Sequence, residues 1–382
     1  MTVKTNMQIE LAPKKDCTGC MACLDSCPFG AISVTKDNCG FRYPQINSDL
    51  CKKCGKCMKV CPLLNYKKST KQSPIKCFAA KIYDKELTKG CTSGGLTTAL
   101  VKYYLLNGDV VFGSAFVENE GVKHIKIESL DDIQKIKGSK YVQSSMDGVY
   151  VLIKNILKET SKNVLYIGTP CQADAVKMMF PNERVLTVSF ICGGVPSEKM
   201  YSDYLNEKGI NYPQVRNVIF REKQTYLIRI DQGKNTFEEK RNESNFLQAF
   251  DDGFSIRQSC LNCKYCTRER PGDITVGDYW GIEKTSLKSA KESDMSCVLF
   301  NTEESENIMK KLPNIFLEET TINDIARENY RIESVRDTDR LFFQTFIFRA
   351  IYPLIGFCRA VKTTKILSRS LINKYTKQII KR

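Results

Sequence analysis

Eight of the 18 cysteines in this 382-residue chain form one pattern written twice. Cys17, Cys20, Cys23 and Cys27 read C-x2-C-x2-C-x3-C with Pro28 next; Cys51, Cys54, Cys57 and Cys61 repeat it with Pro62 next. Three closely spaced thiolates suit three corners of an iron–sulfur cubane. The fourth cysteine, which the proline turns away, serves the other cubane. Cys17, Cys20, Cys23 and Cys61 are therefore expected to hold one [4Fe–4S] cluster, and Cys51, Cys54, Cys57 and Cys27 a second. Zinc also uses C-x2-C pairs, but a doubled triple with paired C-P ends is hard to explain that way. Such a chain moves electrons one at a time. Cys39 falls outside both runs and reads as a non-ligand.

Residues 1–66 thus read as a small α+β cluster domain, with short strands at Ala31–Val34 and Phe41–Tyr43. The length leaves room for further domains. The start, MTVKTNMQIELAPKKDC, has no apolar signal-peptide core. Clusters and free thiols fit a reducing cytoplasm better than a disulfide framework does. Residues 67–76 are polar and basic and read as a linker. From Cys77 strands and helices alternate, which predicts an α/β core over 77–335. Val110–Val117, Asn163–Ile167, Val185–Ile191 and Ile274–Val276 read as strands. Helices are expected from Leu96 to a stop near Asn107-Gly108, over 149–157, from the turn at Gly168-Thr169-Pro170 through Met179, and from an N-cap at Ser197. Val215–Phe220 and Tyr226–Ile230 look like a hairpin added to the central sheet.

The net charge of +15 is uneven: from Leu341 to Arg382 there are nine Lys/Arg and no Asp/Glu. Residues 336–382 read as a basic, amphipathic helical tail. Its apolar start, Leu341 to Phe357, is expected to hold it in place while Lys362 to Arg382 projects. Gln344, Arg349 and Pro353 break that start too often for a membrane span. An acidic ferredoxin-like partner or an anionic membrane surface would suit the cations. No nucleic-acid-binding pattern accompanies them.

A third group, Cys260, Cys263 and Cys266, again reads C-x2-C-x2-C but has no C-P end. Its fourth ligand must come from a distant segment. Cys171 and Cys192 each follow a predicted strand, where α/β sheets place functional groups. A third cluster, zinc or no metal all remain open on spacing alone. Cys91-Thr92-Ser93-Gly94-Gly95 precedes the first core helix, so small residues would let backbone N–H groups approach a phosphate. Gly168-Thr169-Pro170-Cys171 is a similar junction. Lys140, Tyr141, Gln143 and Ser144 offer a cation, a phenol, an amide and a hydroxyl in one stretch. His124, the single histidine, follows a strand and is a weak proton-donor candidate beside Lys140 and Tyr141. Trp280 reads as a core residue.

Four segments in order, CTSGG at 91–95, GSKYVQS at 138–144, GTPCQ at 168–172 and DITVGDYWG at 273–281, together with ICGGVPS at 191–197, resemble one family. It is the family of beta subunits of coenzyme F-420 hydrogenases and dehydrogenases, here behind a two-cluster ferredoxin domain. The resemblance covers roughly residues 15–300. It implies an FAD-binding α/β domain with its own [4Fe–4S] cluster. Its ligands would be drawn from Cys171, Cys192, Cys260 and Cys263. Cys266 stands where the family is expected to lack a cysteine, so it is an alternative ligand. FAD would lie near Thr92, Ser93, Gly94, Gly95, Lys140, Tyr141, Gln143 and Ser144, with Thr169 nearby.

The reading that results is an iron–sulfur flavoprotein oxidoreductase. One-electron transfer through the clusters, from a ferredoxin-like donor, meets two-electron chemistry on an organic or deazaflavin acceptor. A non-catalytic electron-transfer subunit and a cluster-bearing scaffold are the alternatives.

Overall fold

The computed structural model describes residues 9–66, 72–181, 183–215, 217–232, 235–336 and 339–380. Half of the expected linker, residues 67–71, lies outside them, as do the last two cations, Lys381 and Arg382. The N-terminal unit carries one antiparallel hairpin, β1 (Ile32–Lys36) with β2 (Arg42–Ile46). Each three-cysteine loop runs into a four-residue helix, Ala22–Asp25 or Lys56–Lys59. Both helices are entered through a left-handed residue, Met21 or Gly55.

The core sheet uses β3 (Lys76–Ile82), β4 (Val110–Val117), β5 (Gly121–Ile127), β6 (Val164–Gly168) and β7 (Val185–Phe190). Three further strands follow a separate three-stranded sheet of β8 (Asn217–Glu222), β9 (Thr225–Gln232) and β10 (Asn235–Lys240). They are β11 (Ile274–Asp278), β12 (Ser296–Phe300) and β13 (Ile315–Thr320), and the eight run β13-β3-β12-β11-β7-β6-β4-β5. The β4–β6, β6–β7 and β7–β11 pairs are parallel, and the outer pairs antiparallel. β6 (VLYIG) is buried at every residue, as a parallel strand covered on both faces must be. The helix Leu96–Leu106 packs on one face through Leu96, Leu100 and Tyr104. The helices Val149–Glu159 and Pro170–Met179 cover the other, through Ile153 and Val176.

Two expectations are corrected here. The 215–230 hairpin is not an extension of the central sheet. It belongs to the β8–β9–β10 sheet, whose inward residues Phe220, Ile228 and Ile230 share an aromatic core with Tyr201 and Phe246. The tail does not project from Lys362. Thr364 and Ser368 are buried, Gln344 bonds Ser368 at 3.0 Å, and Lys365 pairs with Asp252 at 3.1 Å. Its two helices, Asp339–Ile355 and Phe357–Ile380, break at Gly356 (φ +83°). No described helix is long and apolar enough to cross a membrane.

The N-terminal unit is sewn into the core. Phe41 and Tyr43 belong to the same buried aromatic cluster as Phe348 and Tyr352. Asp25 accepts from the N–H groups of Gly148 and Tyr150, both at 3.2 Å. It so caps the helix Val149–Glu159, whose own N-cap, Gly148, has no side chain to do it. The core also begins earlier than expected, because Gln72 already exchanges backbone bonds with Arg270.

Candidate functional site

Cys20 and Cys23 both have raised pKa values, chiefly through burial. Repulsion from Cys61 and Cys17 adds to it, and Cys20 is pushed up to about 12. Cys61 therefore sits with the first triple. Burial also raises Cys57, with Cys27 and Cys51 adding repulsion. Cys27, Cys51, Cys54 and Cys57 line one small apolar hollow.

In the core, one cavity of about 510 Å³ lies at the carboxyl ends of β6 and β7, a size suited to a cofactor or small ligand. Cys171, Cys192, Cys260, Cys263 and Cys266 all line it. Cys171 lies in the first turn of the helix that follows β6, Cys192 lies two residues beyond the end of β7, and Cys260 lies on the short helix Gln258–Leu261. Burial raises Cys171 and Cys192 and takes Cys260 up to about 12. Cys263 and Cys266 hydrogen-bond each other, which pulls Cys263 down and pushes Cys266 up. Burying five thiols together disfavours their ionisation unless cationic charge is supplied. Arg331 and Arg270 favour the thiolate of Cys192 and of Cys263, and Arg331 leaves a buried Nη1 without a partner. This donor set fits a cluster, where iron would supply the remaining charge. No three His, Cys, Asp or Glu side chains among the described residues converge on a single-ion site. A cubane instead takes one thiolate at each of four irons.

Thr92, Ser93, Gly95, Lys140, Tyr141, Gln143, Ser144 and Thr169 line the same cavity. The helix Leu96–Leu106 points its uncapped N-terminus there, since its N-cap is Gly95 and its first turn has no acid. The helix after Thr169 is closed by a capping box with Gln172. Lys140 donates to the carbonyls of Lys137 (2.6 Å) and Gly138 (3.2 Å), and desolvation lowers its pKa to about 7. Gly94 departs from expectation. Its N–H is taken by Ser296 Oγ at 2.9 Å, and a Cβ there would lie 2.6 Å from the Ala80 carbonyl. Gly95 has φ +81° and Thr88 Cγ2 2.6 Å from an added Cβ. Both glycines thus serve packing and turn geometry, so neither is a clean probe of phosphate access.

His124 lies within β5, not after a strand. It is buried and stacked on Tyr166, with Nε2 2.9 Å from the Ile167 carbonyl and Nδ1 2.9 Å from Ser144 Oγ. Burial lowers its pKa to about 4, so it is neutral. Gln172 Nε2 donates to Ser144 Oγ at 3.1 Å, and its Oε1 accepts from Thr169 Oγ1 at 2.9 Å. Thr169 Oγ1 in turn lies 3.2 Å from Cys171 Sγ. This polar chain runs from the histidine to the cysteines. Trp280 is a further correction: it is half-buried and lines the cavity, with Arg221 over its ring at 5.3 Å. Arg221 forms a two-pronged pair with Asp278 (2.6 and 2.9 Å). Sequence reasoning missed Arg221, Tyr226 and Arg331, which come from β8, β9 and a segment beyond β13. No local spacing links them.

Residues 161–324 match the carboxyl-terminal part of the family described as coenzyme F420 hydrogenase/dehydrogenase, beta subunit, and residues 16–64 match the 4Fe-4S dicluster domain. By these matches the core of the chain is similar to this family and its N-terminal unit to dicluster ferredoxins. The chain is an iron–sulfur oxidoreductase. It is 25% identical over 275 residues to one of the subunits of the F(420)H(2) dehydrogenase of Methanosarcina mazei, covering 68% of this chain and 75% of that protein. It is 22% identical over 373 residues to the coenzyme F420-dependent sulfite reductase of Methanocaldococcus jannaschii. That match covers 91% of this chain but only 54% of the reductase, so the chain spans about half its length. A chain of the F420-reducing [NiFe] hydrogenase complex of Methanosarcina barkeri is similar at a TM-score of 0.46 and 19% identity, over 79% of this chain and 92% of that one.

Proposed function

We propose that this chain couples one-electron transfer through its N-terminal clusters and a core cluster to two-electron chemistry at a flavin, FAD, in the core cavity. A deazaflavin of the kind named in its relatives is the proposed organic partner. The observation that carries the reading is the opening of the core cysteines, the uncapped helix and Lys140 onto one cavity. A bound flavin would take electrons singly on one side and exchange a hydride equivalent on the other. The residues would divide the work. The N–H groups at the start of the helix Leu96–Leu106, with Lys140, would hold an anionic phosphate. Ser144, held by neutral His124 and by Gln172, would present a fixed hydroxyl. Cys171, Cys192, Cys260 and Cys263, with Cys266 as the alternative, would bind iron, and Arg331 would offset the net negative charge of the thiolate-ligated cluster. Tyr141, packed against Phe250 at 5.0 Å, would exclude water.

Anaerobic purification with iron, sulfide and flavin quantified tests this. About one flavin per chain is expected. Thr92→Trp, which puts bulk into the cavity, should lower flavin retention and leave iron unchanged. Flavin-free wild-type protein, or equal flavin in the variant, would remove the flavin from this cavity. A second reading, a subunit of a larger complex, is favoured by the helix Asp339–Ile355. Its outward stripe of Phe342, Phe346, Ala350 and Leu354 (81% exposed) is entirely apolar.

A further inference from the structure

We propose that the loop Cys51–Lys59 is the docking face for an acidic one-electron carrier protein. The proposal rests on the preceding reading that electrons pass through the N-terminal unit, and it assigns their port. The two cysteine quartets of that unit face different surroundings. The first is covered by the core. Tyr150 donates to the Cys20 carbonyl at 2.9 Å, and Arg257 to the Cys17 carbonyl at 2.7 Å. The second opens outward, and Cys54 is the one exposed cysteine of the eight.

Around Cys54 the chain reads Cys51-Lys52-Lys53-Cys54-Gly55-Lys56-Cys57-Met58-Lys59. All four lysines are exposed, and no acidic residue occurs from Leu50 to Pro62. Asp49 is the nearest acid along the chain. Among the described residues Lys52, Lys56 and Lys59 make no ion pair. Leu50 (48% exposed) and Phe29 (46%) add apolar surface at the edges. Electron transfer decays steeply with distance, so a carrier gains most by approaching this exposed thiolate ligand. An exposed cationic rim with apolar edges suits a protein surface of opposite charge, which would be steered in and oriented. The step is a single-electron transfer. The reduced carrier is oxidised by one, this chain is reduced by one, and no bond forms or breaks.

This places the port away from the basic tail, whose Lys365 is already engaged by Gln248 and Asp252. The test uses the full chain, purified anaerobically, with a reduced acidic two-cluster ferredoxin as probe. Bleaching of the cluster absorbance is followed by stopped flow across a salt series. Replacing Lys52, Lys53, Lys56 and Lys59 together by Glu should slow the second-order rate about tenfold or more at low ionic strength. The gap to wild type should close as salt rises, and the extent of reduction by excess dithionite should stay unchanged. Should charge reversal cost iron, the four-fold Lys→Gln variant at full iron content decides by the same comparison. Truncation after Ser368, which removes five tail cations but keeps the packed part, should leave the rate unchanged. Wild-type rates in the lysine variants would overturn the proposal. So would a rate loss that follows the truncation instead. Lysine-dependent sedimentation with anionic vesicles, at unchanged ferredoxin rates, would reassign the face to lipid. Cluster absorbance reads the port directly, so a flavin-free chain would sink the flavin reading and leave this measurement intact.

Discussion

The N-terminal unit and the core gather cysteines in opposite ways. In the first, eight cysteines lie within residues 17–61, and short helices entered through Met21 and Gly55 fold them inward. In the second, the cysteines come from the ends of β6 and β7 and from the loop at 260–266, and meet only because parallel strands set those ends side by side. A site of the first kind needs only the two cysteine runs of one short segment. A site of the second kind needs the whole sheet, so it should respond to mutation far from the sulfurs.

The largest expected effect separates the two sites outright. Cys263→Ser should remove about four of about twelve irons and leave the N-terminal signals in EPR intact. Cys266→Ala is the sharpening comparison. If it retains all its iron, Cys266 is the surplus thiol of the five; if it also loses a cluster, Cys171 or Cys192 becomes dispensable. Unchanged iron in Cys263→Ser would break the comparison, for there would be no core cluster to contrast.

The seam comes next. Arg257 is fully buried and has no carboxylate partner among the described residues. It donates to the carbonyls of Cys17 and Arg42 and to Gln143, and lies over the ring of Tyr43 at 4.4 Å. Arg257→Ala would leave three acceptors unmet and a cavity between the regions, costing about 4 kcal/mol. Chemical denaturation should show the loss. If the midpoint does not move, the N-terminal unit is held independently of this contact.

Acid should affect the core through His124. Its folded pKa of about 4 is below its ordinary value of 6.5. The unfolded chain therefore binds the proton first. Stability is full above about pH 6.5, falls as the pH drops toward 4, and the loss totals about 3 kcal/mol. His124→Gln should be less stable at pH 7 and flatter between pH 6.5 and 4. A slope equal to wild type would assign the acid sensitivity elsewhere.

The smallest effect is at the Asp25 cap. Asp25→Ala should cost about 1 kcal/mol by uncapping the helix Val149–Glu159, and Asp25→Asn, which keeps an acceptor, should recover most of it in the same denaturation curves. Equal losses in both variants would point to the charge, not the cap.

The cysteine runs, the third group, the alternation of helices with β4, β6, β7 and β11, and the motif segments 138–144 and 168–172 were legible from the chain alone, whereas β3, β5, β12 and β13 were not. Each legible feature depends on spacing, and short-range spacing is carried by local backbone geometry. Long-range pairing decided the rest. Strand β5 captured His124, and β12 brought Ser296 to the Gly94 amide, so that a glycine expected at a phosphate packs against β3 instead. The 215–230 hairpin left the central sheet because its inward residues fill an aromatic core with Tyr201 and Phe246. The tail docked as far as Ser368 because Glu207 caps the helix Phe357–Ile380 by accepting from the backbone N–H of Cys358 at 2.9 Å. Sequence records which residues are near neighbours along the chain. Burial and hydrogen-bond satisfaction choose among the distant partners, and only the folded molecule brings those partners within reach.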